Sequence, residues 1–187
     1  MVETSAHLVD QVFPQVPVRQ WVLSFPKRLR YFLARDADLL NRVLQIFLDS
    51  VEKARRSCCP DAPDPARLGA VTFVHRFGSA LNGHIHFHCC VIDGVFSAED
   101  VTLRFDEAAI TPEAIAQVQA EVRERVLRLF KRRALLSPED VNAMREWEHE
   151  GGFSLNADVT VAAWDRTGLE RLLRYCARPI FASERLQ

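Results

Sequence analysis

The sequence lacks the features that mark several large classes of protein. It has no run of about 18 uninterrupted apolar residues, so no membrane-spanning helix is predicted. Its start, MVETSAHLVDQVFPQVPVRQ, has neither the basic first residues nor the long apolar core of a signal peptide. The five cysteines are odd in number and form no CxxC pair, which argues against a disulfide framework and a zinc ribbon. We therefore expect a protein of a reducing cytoplasm.

An excess of charge of either sign is also missing. The chain has 24 Lys and Arg against 25 Asp and Glu, for a net charge of −1. The strongly basic total that is typical of many nucleic-acid-binding proteins is absent. Basic residues nevertheless cluster in the runs 26–35, 52–56, 123–133 and 171–178. Such a run can bind phosphates in a nearly neutral protein, and it is equally compatible with a solvated helix face.

Apolar periodicity predicts an α+β fold, with a central antiparallel sheet and helices laid on one face of it. Pro14 and Pro17 interrupt any helix near the start, so residues 1–18 are expected to be a poorly structured arm and residues 19–187 the folded domain. Thr167 and Glu170 fit a capping box that would open the last helix. The predicted strands cover 19–26, 70–79, 84–96 and 153–164, and the predicted helices cover 37–57, 111–135, 137–147 and 167–178.

Three histidines stand at alternate positions in the stretch GHIHFHCCVIDGVF. Because side chains alternate across a strand, His84, His86 and His88 share one face, and the apolar residues between them share the other. Neutral imidazoles at this spacing can converge on one divalent metal ion from a rigid backbone. Solvent-facing histidines paired to their neighbours are the simpler alternative, which is less convincing for three in register.

The residue that would complete a metal site is left open by the sequence. His84 is the nearest candidate for a third ligand, because it shares the face of the other two histidines. His75 on the neighbouring strand is another, as are Asn156 and Asp158 on a later one. Asp93 precedes a glycine after the strand, where a turn explains it without chemistry.

Comparison with known histidine motifs excludes some kinds of active site but leaves others open. The chain has no HExxH motif, and the residues after the histidine pair do not follow HxHxDH. HIHFHCCV does resemble the motif of the histidine-triad nucleotide hydrolases, whose central histidine would attack a phosphate. That resemblance is short, and it leaves the helices and the arginine-rich ending unexplained.

A tyrosine near the end of the chain is the second candidate for chemistry on a phosphate. In LERLLRYCARPI, Arg171 and Arg178 are the helical neighbours of Tyr175, and Arg174 precedes it directly. Guanidinium groups around a phenol are suited to holding the oxygens of a phosphodiester. The alternative is a tyrosine at the margin of the core with ordinary surface arginines. The chain has one other tyrosine, Tyr31.

Four blocks of sequence together resemble the catalytic domain of the insertion sequence 91 family of transposases. These are rolling-circle transposases of the HUH superfamily of single-strand endonucleases, in which two histidines flank one bulky apolar residue. The similarity extends over residues 17–187, and the blocks come in the family's order. They are PVRQWVLSFPKRLRYFLARD, AVTFVHRFGSALNGHIHFHCCVIDGVF, GGFSLNADVTVAAWDRTGLERLLRYCARP and FASERL.

The resemblance implies a ferredoxin-like or RNA-recognition-motif-like HUH fold with the histidine strand central. It implies that His86 and His88, with His84 as the overlapping choice, bind Mg²⁺ or Mn²⁺, and that Tyr175 is the nucleophile. The substrate would be single-stranded DNA at transposon ends in a bacterial cytoplasm. Attack would leave a 5′-phosphotyrosine and a free 3′-hydroxyl, which can later reverse the reaction without ATP.

The chain departs from that family in three respects. Arg171 stands four residues before Tyr175, where some members have a second catalytic tyrosine, so a single-tyrosine enzyme is expected. The cysteine-rich zinc segment that precedes the domain in full-length relatives is not found before it. Relatives also continue well beyond the tyrosine helix, which leads us to expect a truncated copy. A remnant that binds DNA without cutting it remains an alternative.

Overall fold

A computed structural model describes residues 2–63, 66–78, 82–99 and 102–178, to which all structural statements refer. The FASERL block and Pro179 lie outside the described residues. The helices are α1 (Val2–His7, continued by a π-helix, Leu8–Val12), α2 (Lys27–Arg35), α3 (Ala37–Ser57), α4 (Pro112–Arg132), α5 (Pro138–Glu146), α6 (Glu148–Gly151) and α7 (Arg166–Cys176). The strands are β1 (Val18–Ser24), β2 (Ala70–Phe77), β3 (Gly83–Ile92), β4 (Gly94–Glu99), β5 (Thr102–Glu107), β6 (Ser154–Asn156) and β7 (Thr160–Val161).

The main sheet is antiparallel and has the strand order β2-β3-β1-β6, with β7 paired to the start of β1. Strands β4 and β5 form a separate two-stranded ribbon. The predicted α+β fold with an antiparallel sheet and flanking helices is confirmed. The histidine strand, β3, lies inside the sheet between β2 and β1. None of the described helices is long and apolar enough to cross a membrane.

Helices cover both faces of the sheet, whereas the sequence predicted one covered face. The apolar residues of β3, such as Ile85 and Phe87, face a large core that includes the buried sides of α2, α3, α4 and α5. The opposite face, which carries His84, His86 and His88 and is called the histidine face below, meets a smaller core. In that smaller core, Val9 and Phe13 near the start of the chain and the buried side of α7 pack against Val18, Cys90, Ile92 and Val161.

The first residues are helical, so the prediction of a poorly structured arm was wrong. Val9 and Phe13 are buried in the smaller core against α7, and Pro14 and Pro17 only follow the helical segment. The guanidinium group of Arg166 donates hydrogen bonds to the carbonyls of Val9, Phe13 and Pro14. Tertiary contacts with α7 therefore fix a segment whose own sequence is a poor helix former.

The helix that carries the candidate tyrosine begins one residue earlier than predicted and uses a different cap. Asp165 is the N-cap and its carboxylate accepts a hydrogen bond from the backbone N–H of Gly168, in place of the Thr167–Glu170 capping box. A Cβ at position 168 would lie 2.1 Å from a carboxylate oxygen of Asp165, so a larger residue there would displace the capping carboxylate. The predicted strand 153–164 is likewise divided into β6 and β7.

Asp93 is a buried ion-pair partner, although the sequence suggested a simple turn residue. It lies in the bend between β3 and β4 and is 5% exposed. Its carboxylate accepts hydrogen bonds from Arg19 at 2.8 Å and from Arg55 at 2.7 Å. The side chain of Arg55 is completely buried, so Asp93 supplies the opposite charge that this guanidinium needs in the interior.

Candidate metal and nucleophile site

Strand pairing brings three histidines together on the histidine face. In the register of β2 and β3, His75 lies directly opposite His86, and His88 follows two residues along β3. One ring nitrogen from each of these three side chains lies within 4.8 Å of the other two. Tetrahedral ligation at about 2.1 Å would place such nitrogens about 3.4 Å apart, so a small inward movement of the rings would close the site on a metal.

Backbone carbonyls orient two of the three imidazoles. His75 donates from Nε2 to the carbonyl of Cys176 at 2.7 Å, and His86 donates from Nδ1 to the carbonyl of His84 at 2.8 Å. Each of these bonds leaves the other ring nitrogen without a proton and available to a cation. Metal-binding histidines in proteins are usually held in this way. The donor set therefore fits a divalent metal ion.

Gln20 contacts the third imidazole and was not recognised from the sequence. Its side-chain amide lies 2.9 Å from Nδ1 of His88 and 3.2 Å from Sγ of Cys176, and the residue is 5% exposed. Rotating the amide by 180° would let its oxygen accept Nδ1–H and leave Nε2 of His88 for a metal. The only signal in the sequence was a polar residue at an inward position of an apolar strand.

The other candidates for a third ligand lie outside this group. The ring of His84 is centred 5.0 Å from that of His86, next to the three histidines but not converging with them. Asn156 and Asp158 hydrogen-bond to each other. In the sheet, Val22 stands between Asn156 and His88. The structure therefore groups His75, rather than His84, with His86 and His88.

Burial keeps His86 neutral near pH 7. Desolvation, with a smaller contribution from the charges of the neighbouring histidines, lowers its pKa from the ordinary 6.5 to about 4, although the hydrogen bond to the carbonyl of His84 acts in the opposite direction. Burial also lowers the pKa of His84, with a contribution from the charge of Arg30. A neutral imidazole is the form that binds metals.

This pKa predicts how the metal-free protein responds to acid. Between pH 6.5 and about 4 the unfolded chain binds a proton at position 86 and the folded chain does not, so stability falls as the pH is lowered through this range. We expect the melting temperature to drop between pH 7 and pH 5 in the presence of a chelator. The drop should be smaller in His86→Gln. An equal drop in both proteins would contradict the assignment.

The candidate nucleophile lies beside the histidines. Tyr175 is in the last turn of α7, and its ring is centred 5.9 Å from that of His88 in an edge-to-face arrangement. The side chain is 52% exposed, so the phenol has access to both the histidine group and solvent. The predicted proximity of Tyr175 to the histidine strand is present in the structure.

The three arginines around Tyr175 have different surroundings. The guanidinium carbon of Arg178 lies 5.8 Å from the centre of the Tyr175 ring. Arg174 is exposed and forms an ion pair with Glu170 on the preceding turn. Arg171 is exposed on the same side of the helix. Arg178 and Arg171 are thus the better placed of the three to meet a phosphate, because no ion pair holds either of them among the described residues.

All five cysteines are free thiols, and four of them are buried. Cys89 faces the large core, where burial raises its pKa to about 12. Sγ of Cys90 lies 4.0 Å from Sγ of Cys176, which joins β3 to α7. The pKa of Cys90 is raised by this contact and by burial, and that of Cys176 is lowered to about 5 because Cys90, His88 and Gln20 surround its sulfur.

Comparison with known families identifies the class of protein to which this site belongs. Residues 69–187 match the model of the Y2_Tnp family, described as "Putative transposase". The match includes the three convergent histidines and Tyr175 and covers more than half of the chain. The chain belongs to this transposase family, which indicates a DNA-processing enzyme that acts in DNA transposition. Comparisons with curated proteins and with solved structures gave no match.

Proposed function

We propose that this protein nicks and rejoins single-stranded DNA through a covalent bond to Tyr175, as a single-tyrosine rolling-circle transposase of the HUH type. The observation that carries the proposal is the position of the Tyr175 ring, 5.9 Å from that of His88 and half exposed. A nucleophile and a metal-binding group at one surface can act on the same phosphate. The resemblance of the sequence blocks to the insertion sequence 91 family supports transposon ends in the bacterial cytoplasm as the proposed substrate.

The covalent step is an in-line displacement at phosphorus. The Tyr175 oxygen forms a bond to the phosphorus while the bond from phosphorus to the 3′ oxygen breaks. The phenol loses its proton on attack and the 3′ oxygen gains one on leaving. The 5′ end of one strand is then attached to Tyr175 and the other strand ends in a 3′-hydroxyl. Attack by a 3′-hydroxyl on the phosphotyrosine reverses the step, so the bond energy is conserved for rejoining.

The protein groups around the phosphate have separate roles in this scheme. Arg178 and Arg171 bind phosphate oxygens and orient the strand against Tyr175. His75, His86 and His88 would hold a divalent ion, which when bound supplies Lewis-acid polarisation of the scissile phosphate. Gln20 keeps the ring of His88 in place. We expect Mn²⁺ to support the reaction better than Mg²⁺, because three imidazoles suit it better than they suit Mg²⁺.

The alternatives can be separated by one experiment with labelled single-stranded oligonucleotides and Mn²⁺. The proposal predicts a covalent protein–DNA adduct that survives denaturing electrophoresis. A histidine-triad hydrolase would cleave nucleotides through His86 without an adduct on tyrosine. A remnant without activity would retard the oligonucleotide on a native gel and form no adduct at all.

The choice of His75 as third ligand gives a prediction for metal affinity. Changing a residue that only supports a ligand already lowers affinity about 10- to 100-fold, so losing a ligand should lower it at least tenfold. We expect His75→Ala to lower Mn²⁺ affinity at least tenfold in titration calorimetry, and His84→Ala to change it by less than about threefold. Melting temperatures serve as a check on folding. A larger loss of Mn²⁺ affinity in His84→Ala than in His75→Ala would instead assign the third ligand to His84.

A further inference from the structure

Two cysteines meet where α7 packs on the histidine strand. Cys90 lies on β3 two residues after His88, and Cys176 is the last residue of α7 and follows Tyr175 directly. Their Sγ atoms lie 4.0 Å apart, and both residues belong to the smaller core, where they are 0% and 1% exposed. They are 86 residues apart in the chain, so the packing of α7 on the sheet is what brings the two thiols together.

The other three thiols lie in different surroundings. Cys89 faces the large core on the opposite side of the sheet, and Cys58 and Cys59 pack in a third cluster beside β4. Cysteines that are adjacent in sequence have Cα atoms about 3.8 Å apart, which is closer than the roughly 4.4 Å at which ordinary disulfides begin. Among the described residues, Cys90 and Cys176 are therefore the pair best placed to form a disulfide.

A disulfide between them needs only a small movement. The two sulfur atoms of a disulfide are about 2.05 Å apart, so the Sγ atoms must approach each other by about 2 Å. Rotation about the Cα–Cβ bond of each cysteine moves its sulfur before either backbone has to shift. Cys176 is in the last turn of its helix, and helix ends open more easily than helix centres. Such an opening gives a molecule as small as hydrogen peroxide access to the Cys176 thiol, next to the half-exposed Tyr175.

We propose that Cys90 and Cys176 form an oxidative modification site, at which a peroxide converts the two thiols to a disulfide and so slows nicking. The sulfur of Cys176 attacks one peroxide oxygen and the O–O bond breaks, which gives a sulfenic acid and water. The sulfur of Cys90 then attacks the sulfenic sulfur, and the S–O bond breaks as a second water leaves. The two thiols lose two electrons and two protons, which reduce one hydrogen peroxide to two water molecules. Disulfides of reducing compartments are usually transient and regulatory in this way.

The disulfide would act on the nicking site through Cys176. In the reduced protein, the carbonyl of Cys176 accepts a hydrogen bond from His75 at 2.7 Å, and its sulfur accepts one from Gln20 at 3.2 Å. A bond to Cys90 changes the position of this sulfur relative to Gln20, and any shift of the last turn of α7 moves the carbonyl and Tyr175 as well. A displacement of about 1 Å in a catalytic geometry can lower the rate about 100-fold. This effect on nicking rests on the proposed function, whereas formation of the disulfide does not.

The test exposes the metal-free, unsubstituted protein and two single variants to increasing concentrations of hydrogen peroxide, which catalase then removes. Cys90→Ala lacks the second thiol, and Cys89→Ala, one residue away and equally buried, is the matched control. One part of each sample is denatured, alkylated and digested without reduction, and mass spectrometry is used to find the peptide that joins residues 90 and 176. The rate of adduct formation on labelled single-stranded DNA with Mn²⁺ is measured on the other part, before and after dithiothreitol.

The oxidised unsubstituted protein and Cys89→Ala should contain the joined peptide and form the adduct at least about tenfold more slowly, and dithiothreitol should restore the rate. Cys90→Ala should contain no such peptide. Its rate should rise less than about twofold with dithiothreitol, because a sulfenic acid without a second thiol goes on to sulfinic acid, which does not revert.

Absence of the joined peptide from the oxidised unsubstituted protein overturns the inference. So does a rate that the disulfide leaves unchanged, or a loss that dithiothreitol restores equally well in Cys90→Ala. All three results leave the proposed function intact. If the reduced, unsubstituted protein forms no adduct, the proposed function and the effect on nicking are both rejected, even where the disulfide forms.

Discussion

Tyr175→Phe is expected to abolish the covalent protein–DNA adduct, with a fall in its rate of formation of at least about 1,000-fold. The substitution removes the attacking oxygen and retains the ring, which packs edge-on against His88. Because the side chain is half exposed, the loss of one hydroxyl should leave folding unchanged. The measurement is the amount of labelled DNA that remains attached to the protein on a denaturing gel, followed over time with Mn²⁺.

Tyr31→Phe is the matched control, because Tyr31 is the other tyrosine of the chain. It lies on α2 and is 58% exposed, and the guanidinium carbon of Arg35 lies 3.9 Å from the centre of its ring. This variant should form the adduct at the normal rate. An adduct that persists in Tyr175→Phe, or disappears in Tyr31→Phe, would place the nucleophile elsewhere.

Asp93→Ala is expected to lower the free energy of unfolding by about 3–5 kcal/mol, which is a large part of the stability of a domain of this size. The substitution leaves the fully buried guanidinium of Arg55 without its carboxylate partner, and Arg19 also loses its ion pair. Urea denaturation followed by circular dichroism measures the change. The nicking activity of the folded fraction should be retained, because Asp93 lies at the far end of β3 from His84 and His86.

Asp38→Ala tests whether burial is the reason for that effect. Asp38 forms ion pairs with Arg42 and Arg133, but its carboxylate is largely exposed on α3. These arginines lower the pKa of Asp38, yet solvent screens the interaction and the loss should be small. A destabilisation by Asp93→Ala no larger than that by Asp38→Ala would contradict the role given to the buried pair.

The parts of the fold that follow from local pattern could be read from the sequence. Alternating residues placed His84, His86 and His88 on one face of β3, with Phe87 on the opposite face in the large core. The three- and four-residue spacing of apolar residues gave α3 its bounds, Ala37–Ser57. These features depend on the geometry of a single element, which the residues of that element determine.

Features that depend on contacts between elements could not be read in the same way. His75 faces His86 only because of the register between β2 and β3, and a shift of one residue would turn it to the other face. Gln20 acquires its role from two partners that are 68 and 156 residues away. The helical start and α2 were missed for the same reason, since packing against other elements stabilises both.

Peptide mapping of the protein–DNA adduct tests the central claim most directly, that Tyr175 and the histidine group act on one phosphate. The unsubstituted protein would be reacted with single-stranded DNA and Mn²⁺, digested with nuclease and protease, and examined by mass spectrometry for the peptide that carries a nucleotide. The account predicts that the nucleotide is attached through its 5′ phosphate to Tyr175. A nucleotide on His86, on Tyr31 or on any other residue would contradict it.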